Sequence, residues 1–303
     1  MEENNTIADS KSFAIASKVK DYFQLMKFTL SFMVVFSTVV CFLIAPYELL
    51  YTRHTLLSVL LLFVAGLLIT GSANTINQAL EKDTDALMKR TASRPIASGR
   101  MSVTEGYIFA IITGVIGVGM MSLFFNLNSA LVGAVSLFIY AFVYTPLKKV
   151  NSIAVLVGAL PGALPCLIGW VAAVDNFAVQ GWVLFGIQFL WQFPHFWAIA
   201  WLAHEDYTNA GFKLLPGAKG PTRFTAIQTI MYSALMIPIG VLPYQYHMCG
   251  KTSMFILLAC NLWMVYTSVM LYVKMDKAAA RKVMFSSYFY LMIVFLSLWA
   301  DKL

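Results

Sequence analysis

Residues 77–95 read N-Q-A-L-E-K-D-T-D-A-L-M-K-R-T-A-S-R-P, directly after the uncharged run L-L-S-V-L-L-L-F-V-A-G-L-L-I-T-G-S-A-N-T-I at 56–76. A helix needs about 20 apolar residues to cross the hydrocarbon of a bilayer, and the run supplies them. It then passes without a break into three carboxylates and four cations. A spanning helix that ends in so many charges carries them at the membrane boundary.

The rest of the chain has the same character. Hydrophobic residues make up 60% of its 303 positions, charged residues 12%, and mean hydropathy is +0.75. Soluble domains carry about a quarter charged residues, so this is an integral membrane protein. Apolar windows fall near 28–46, 56–80, 105–124, 127–145, 152–174, 179–202, 224–245, 253–273 and 284–300. The expected fold is an all-α polytopic bundle of nine transmembrane helices. Only F-N-L-N divides the windows at 105–124 and 127–145.

Of the 21 Lys and Arg residues, all but Arg53, Lys251 and Lys302 fall in the amino-terminal arm and the even-numbered loops. The positive-inside rule puts those segments in the cytoplasm and, with nine spans, the carboxyl terminus outside. The net charge of +7 is thereby explained by membrane topology, and no nucleic acid is needed as a partner. The start, M-E-E-N-N-T-I-A-D-S-K, is neither a basic-then-apolar secretory signal nor an Arg-rich transit peptide; a bacterial inner membrane is expected, with membrane lipid as the surroundings. Residues 1–27 read as a cytoplasmic arm and 28–303 as one domain. Before the first span, Val19, Phe23 and Met26 alternate with Lys18, Asp21 and Gln24. That pattern fits a helix lying in the interface or a short soluble one. Cys41, Cys166, Cys249 and Cys260 lie far apart and read as small apolar fillers.

If the second span stays helical beyond residue 80, Asn77, Glu81 and Asp85 fall within about 80° of one another, with Asn74 inside that arc. Asp83 points away. Oxygen donors on one face suit Mg2+, which takes one or two carboxylates and fills its other positions with water or phosphate oxygens. Lys89, Arg90 and Arg94 follow within one loop and suit the phosphate. Such a set at the mouth of an apolar bundle points to a diphosphate carrying a hydrocarbon tail. The plainer alternative is a solvated helix end, its acids paired with Lys82, Lys89 and Arg90.

A second candidate set lies in F-L-W-Q-F-P-H-F-W at 189–197. Gln188, Gln192 and His195 share an arc of about 60°. Pro194 lacks an N–H, which frees the Leu190 carbonyl and allows a bend. Beside Trp191, Phe196 and Trp197 these residues suit a flat aromatic ligand, and imidazole ligates haem iron; a hydrogen-bonded structural histidine is the alternative. Further on, Tyr144 and Lys148 in Y-T-P-L-K-K sit where they would line a diphosphate pocket.

The motif N-x-x-x-E-x-x-x-D followed by M-x-R-T-x-x-R-P resembles the first acidic motif of the UbiA-type intramembrane prenyltransferases, and W-Q-F-P-H-F resembles their haem O synthase branch. Gln78 and Glu81 depart from the usual N-D-x-x-D-x-x-x-D: Glu81 can still ligate a metal, whereas Gln78 cannot serve as an anionic ligand. The loop D-Y-T-N-A-G-F-K-L-L-P from 206 resembles that branch's second motif, although Ala210 stands where many relatives carry an acid. The resemblance implies that Asn77, Glu81, Asp85 and Asp206 hold Mg2+ and that Lys213 meets phosphate. It implies that His195 contacts haem b, which is a substrate. It further implies farnesyl transfer from farnesyl diphosphate to a haem vinyl group, giving haem O, with a haem A synthase or terminal oxidase as downstream partner. The rival readings are a prenyltransferase acting on a quinone precursor or chlorophyll-like acceptor, and a transporter.

Overall fold

The computed structural model describes residues 17–217 and 220–303. Lys11, Lys219 and the arm before residue 17 lie outside them. Helix α1 (Ser17–Leu25) meets α2 (Phe28–Ile44) at a 50° bend. There follow α3 (Leu56–Leu80), α4 (Lys82–Ala86), α5 (Val103–Phe124) and α6 (Leu127–Phe138). A π-helical turn, Ile139–Tyr144, joins α6 to α7 (Thr145–Leu147). The second half holds α8 (Ala154–Val174), α9 (Val179–Leu202), α10 (His204–Asn209), α11 (Arg223–Gln245), α12 (Lys251–Lys274) and α13 (Lys277–Ala300). Among the described residues, eight helices are long and apolar enough to span a membrane, and the bent α1–α2 pair makes a ninth. This is the multi-pass, all-helical membrane architecture that hydropathy predicts.

Short polar residues start the helices where hydropathy alone is silent. Thr55, Ser102 and Asp276 accept N–H bonds from Ser58, Glu105 and Ala279 respectively, at 3.1, 3.0 and 2.6 Å. Because Asp276 caps α13, the last helix begins at Lys277, well before the apolar window at 284. Its first turns carry Lys277, Arg281 and Lys282, which an apolar window does not register. The narrow F-N-L-N divide is a true break. Asn126 caps α6 through a 2.7 Å bond from Ser129 N–H, and its Nδ2 donates to the Val171 carbonyl at 2.8 Å.

Helices α8 and α9 form the middle of the bundle. Their apolar windows are 72% and 67% buried, against 28–33% for the other long spans. Helices α2 and α6 pack on α8, with α3 and α5 packed outside them; α11 and α13 pack on α9, with α12 joining those two on the outside; and α2 meets α13 to close the ring. Pro161 and Pro165 lie inside α8 without ending it. Pro165 leaves the Pro161 carbonyl without its helical donor, and Ser136 Oγ supplies one at 3.3 Å. At Gly169 a side chain would collide with the Thr38 carbonyl of α2, so glycine sets how closely α2 and α8 approach.

The two ends of the bundle differ. At one end α1 docks by its polar side: Asp21 pairs with Arg100 at 3.0 Å and Lys18 with Glu105 at 2.8 Å, leaving Val19 and Phe23 exposed outward. That arrangement fits a helix lying in the interface. At the other end Lys302 donates to the Leu43 carbonyl at 2.9 Å, and Asp301 accepts from Ser253 N–H at 2.8 Å. Replacement of Asn126 by Ala removes both the cap and the α8 bond; the expected loss is about 1–3 kcal/mol, seen as a lower thermal midpoint of the detergent-solubilised protein.

Candidate active site

The charged end of α3 stays on course where it counts. Although α3 ends at Leu80, Glu81 N–H still bonds the Asn77 carbonyl at 3.0 Å and Asp85 N–H the Glu81 carbonyl at 2.7 Å. The i, i+4 progression therefore runs through the break, and Asn77, Glu81 and Asp85 all line one cavity of about 300 Å³. The two carboxylates are 4% and 1% exposed, too deep to hold charge unaided.

Three separate segments bring them cations. Lys148, just past α7, forms an ion pair with Glu81. Arg94 pairs with Asp85 Oδ2 at 2.6 Å. Lys27, at the α1–α2 bend, donates to Asn77 Oδ1 at 2.7 Å, while Asn77 Nδ2 donates to Glu81 Oε2 at 2.8 Å. Arg90 also lines the cavity, with its guanidinium 4.7 Å from the centre of the Tyr207 ring. Burial lowers the pKa of the Lys148 ammonium, and the Glu81 charge opposes that shift. Four cations face two carboxylates across this wall, so the cavity is built for an anion.

The π turn supplies the aromatic side. Its extra residue turns Tyr140 and Tyr144 into the cavity, a use to which such bulges are often put. Thr145 Oγ1 caps the Tyr140 carbonyl at 2.9 Å. Gly158 leaves the room that the Tyr144 ring occupies, since a Cβ there would lie 2.6 Å from it. Beyond the charged end the wall turns apolar, through Leu30, Val155, Phe196, Ile199, Ala200 and Leu214.

Other residues expected in the site lie elsewhere. Asn74 is buried one step behind the wall, where it donates to Ser31 Oγ at 3.0 Å and accepts from Tyr140 O–H at 3.2 Å. Lys89 and Lys213 are exposed, and neither lines the cavity. Asp206 sits half-buried on α10 outside the wall, though its neighbour Tyr207 is part of it. Gln188 and Gln192 face α8 and bond the carbonyls of Gly162 and Ala159 at 2.7 and 2.9 Å. Gly162 is what allows this, because a Cβ there would overlap the Gln192 carboxamide.

His195 faces α13. Its Nδ1 lies 2.8 Å from Ser287 Oγ, and that hydroxyl donates its proton to the Met284 carbonyl at 2.6 Å. The imidazole must then carry its proton on Nδ1, which leaves the lone pair on Nε2. Trp191 stacks on the ring at 4.7 Å and 15°, and donates to the Ser287 carbonyl.

Does the donor set fit a metal? Among the described residues no three His, Cys, Asp or Glu side chains converge as a metal cluster. The cavity instead offers two carboxylates and a carboxamide, the kind of set that Mg2+ accepts. Asp85 Oδ1 is buried and lacks a hydrogen-bond partner, which suits a cation in the cavity. Lys27, Tyr140, Thr145 and Tyr207 escape a reading from sequence. Lys27 looks like one more topogenic charge, and a π turn has no signature in the apolar periodicity.

The model of the UbiA prenyltransferase family matches residues 34–297. A Protoheme IX farnesyltransferase of Cytophaga hutchinsonii is 41% identical over 289 residues, covering 95% of this chain and all of the relative. Another, of Flavobacterium psychrophilum, is 38% identical over 95% of this chain and 96% of its own length. Among solved structures, a digeranylgeranylglyceryl phosphate synthase superposes with a TM-score of 0.77 at 20% identity, covering 94% of this chain and 98% of its own. A UbiA homolog from Archaeoglobus fulgidus bound to GPP and Mg2+ gives 0.68 at 17% identity, covering 92% and 99%. At those identities the structures speak for the fold.

The Lys148–Glu81 pair gives a stability prediction. Lys148→Met strands a buried carboxylate, and about 3–5 kcal/mol is the usual loss. The double variant Glu81→Gln with Lys148→Met should recover most of it in thermal melts.

Proposed function

The chain belongs to the UbiA prenyltransferase family, and on that premise we propose that it moves a farnesyl group from farnesyl diphosphate to a vinyl group of protohaem IX, giving haem O and diphosphate. The observation that carries this reading is the cavity itself, where a cation-rich end holding two buried carboxylates adjoins an apolar wall. The reaction class needs both parts. The departing diphosphate needs fixed positive charge, and the allylic cation it leaves must be kept from water.

In this reading Asn77, Glu81 and Asp85 hold Mg2+. When bound, the metal stabilises negative charge on the leaving diphosphate. Lys27, Arg90, Arg94 and Lys148 bind the phosphate oxygens, and each already stands at or beside the acidic face. Tyr140, Tyr144 and Phe196 border the space beyond the diphosphate end and exclude water from it. His195 is the candidate haem contact: with Nδ1 tied to Ser287, Nε2 offers its lone pair. Gln188 and Gln192 keep α9 against α8 and so hold the His195 segment in place. Asp206, Lys89 and Lys213 stand outside the cavity wall and enter only as outer electrostatic supports.

The charge distribution supports a bacterial inner membrane setting with the site open to the cytoplasm. The cavity lies at the end of the bundle where α1, α10 and the loops after α4 and α7 meet, and that end carries most of the lysines and arginines. The carboxyl terminus then lies on the outer side.

Purified protein given haem b and labelled farnesyl diphosphate should yield haem O by mass, and should stop when EDTA removes divalent metal. Prenylated hydroxybenzoate with unreacted haem would overturn the acceptor assignment. Asp85→Ala should cut transfer at least about 100-fold, the scale of a lost transition-state charge contact, while the protein still inserts in the membrane. For His195→Ala the expected result is a weaker haem titration with farnesyl diphosphate binding unchanged; an unaltered titration removes His195 from the haem site.

A further inference from the structure

Helix α3 and its continuation through Glu81 into α4 present two neighbouring rows of side chains, and the proposed function uses only one of them. The row Asn77, Glu81, Asp85 faces the cavity. The other, Gly71, Asn74 and Gln78, is spaced i, i+3, i+7 along the same helix and faces the bend between α1 and α2. Each member grips that bend. A Cβ at Gly71 would lie 2.6 Å from the Met26 side chain, so the bend rests directly on α3. Asn74 Nδ2 donates to the Met26 carbonyl at 3.3 Å, and Ser31 Oγ donates to the same oxygen at 2.7 Å. Gln78 Nε2 donates to the Gln24 and Leu25 carbonyls at 3.1 and 2.8 Å.

The Leu25 and Met26 oxygens stand at the end of α1 and in the turn after it, where a helix leaves carbonyls without intrahelical donors, while the Gln24 carbonyl also takes a turn bond from Lys27 N–H at 3.1 Å. Gln78, 1% exposed, is therefore a cap supplied from another helix. What it caps leads straight into the site. Two residues after Leu25 stands Lys27, whose φ of 48° and ψ of 54° lie in the left-handed region that side chains other than glycine rarely adopt. That conformation persists only where the surroundings impose it. It is the geometry that turns the Lys27 ammonium back onto Asn77 Oδ1 at 2.7 Å.

We propose that Gln78 is a positioning residue for the diphosphate-binding end of the cavity: by holding the α1 carboxyl end it fixes the bend that delivers Lys27. This rests on the diphosphate reading of the cavity given above. It also gives a physical reason for a neutral amide at this position. The task is to donate to two carbonyl oxygens, and a carboxylate there would repel them.

The test uses the full-length purified protein with haem b and farnesyl diphosphate as probes. Lys27→Met, Gln78→Met and the double variant are compared by steady-state kinetics. Loss of one charge-assisted contact raises KM for farnesyl diphosphate about tenfold. If Gln78 acts through Lys27, Gln78→Met gives the same rise, and the double variant stays near tenfold. A rise near a hundredfold in the double variant, or an unchanged KM in Gln78→Met, overturns the proposal. An unchanged KM in Lys27→Met overturns instead the diphosphate reading on which it rests. Should Gln78→Met fail to fold, Gln78→Asn keeps a neutral amide but shortens it by one methylene away from the two carbonyls, and the same comparison applies. A merely structural glutamine would lower the melting temperature without the selective rise in KM.

Discussion

Two carboxylates that stay charged at the edge of an apolar bundle must be paired, and most of the site follows from that requirement. Glu81 and Asp85 are almost wholly buried, where an isolated charge would cost several kcal/mol. Their partners come from parts of the chain far apart in sequence: Lys148 from the turn after α7, Arg94 from the loop after α4, and Lys27, through Asn77, from the α1–α2 bend. The ion pairs thus also locate three otherwise independent segments. A pocket made this way is anchored by the charges it offers to a ligand, so binding and folding draw on the same groups.

The second half of the bundle is held by neutral amides. Gln188 and Gln192 reach across from α9 to backbone carbonyls of α8, close to where Pro161 and Pro165 interrupt its bonding pattern. In hydrocarbon, backbone groups must be satisfied within the protein, and side-chain amides can do that without adding charge. The result is a rigid central pair, α8 and α9, against which the charged end of α3 is set. His195 rides on the same helix but turns to α13, so the face that meets Ser287 is distinct from the face that lines the cavity.

This division explains what could be foreseen from sequence. Spans were legible because hydrophobic length is a local property, and the Asn77–Glu81–Asp85 row was legible because helical spacing survives the break at Glu81. Periodicity says which residues share a face but not which neighbour that face will meet. Gln188, Gln192 and His195 share an arc by spacing, yet the glutamines address α8 and the histidine addresses α13. Asn74 falls in the acidic arc by angle, although the α1–α2 bend claims it first. Lys27 and Tyr140 escaped for different reasons. The lysine was already accounted for by membrane topology, and the tyrosine owes its aim to a π turn that no simple repeat encodes.

Gln78 shows why a departure from a motif is not always a loss. Judged as a metal ligand it is deficient, since an amide carries no charge. Judged by what surrounds it, the amide N–H group is the feature required, because its partners are the carbonyl oxygens of Gln24 and Leu25. The amide row on α3 and the acidic row that runs from its end into α4 lie side by side. The acidic row pairs with Arg94 and Lys148, and the amide row engages the segment that brings a further cation. Placing both on one helical register links the position of α1, whose Val19 and Phe23 face outward, to the charge available in the cavity. A displacement of α1 would reach the site through the two Gln78 hydrogen bonds and one lysine.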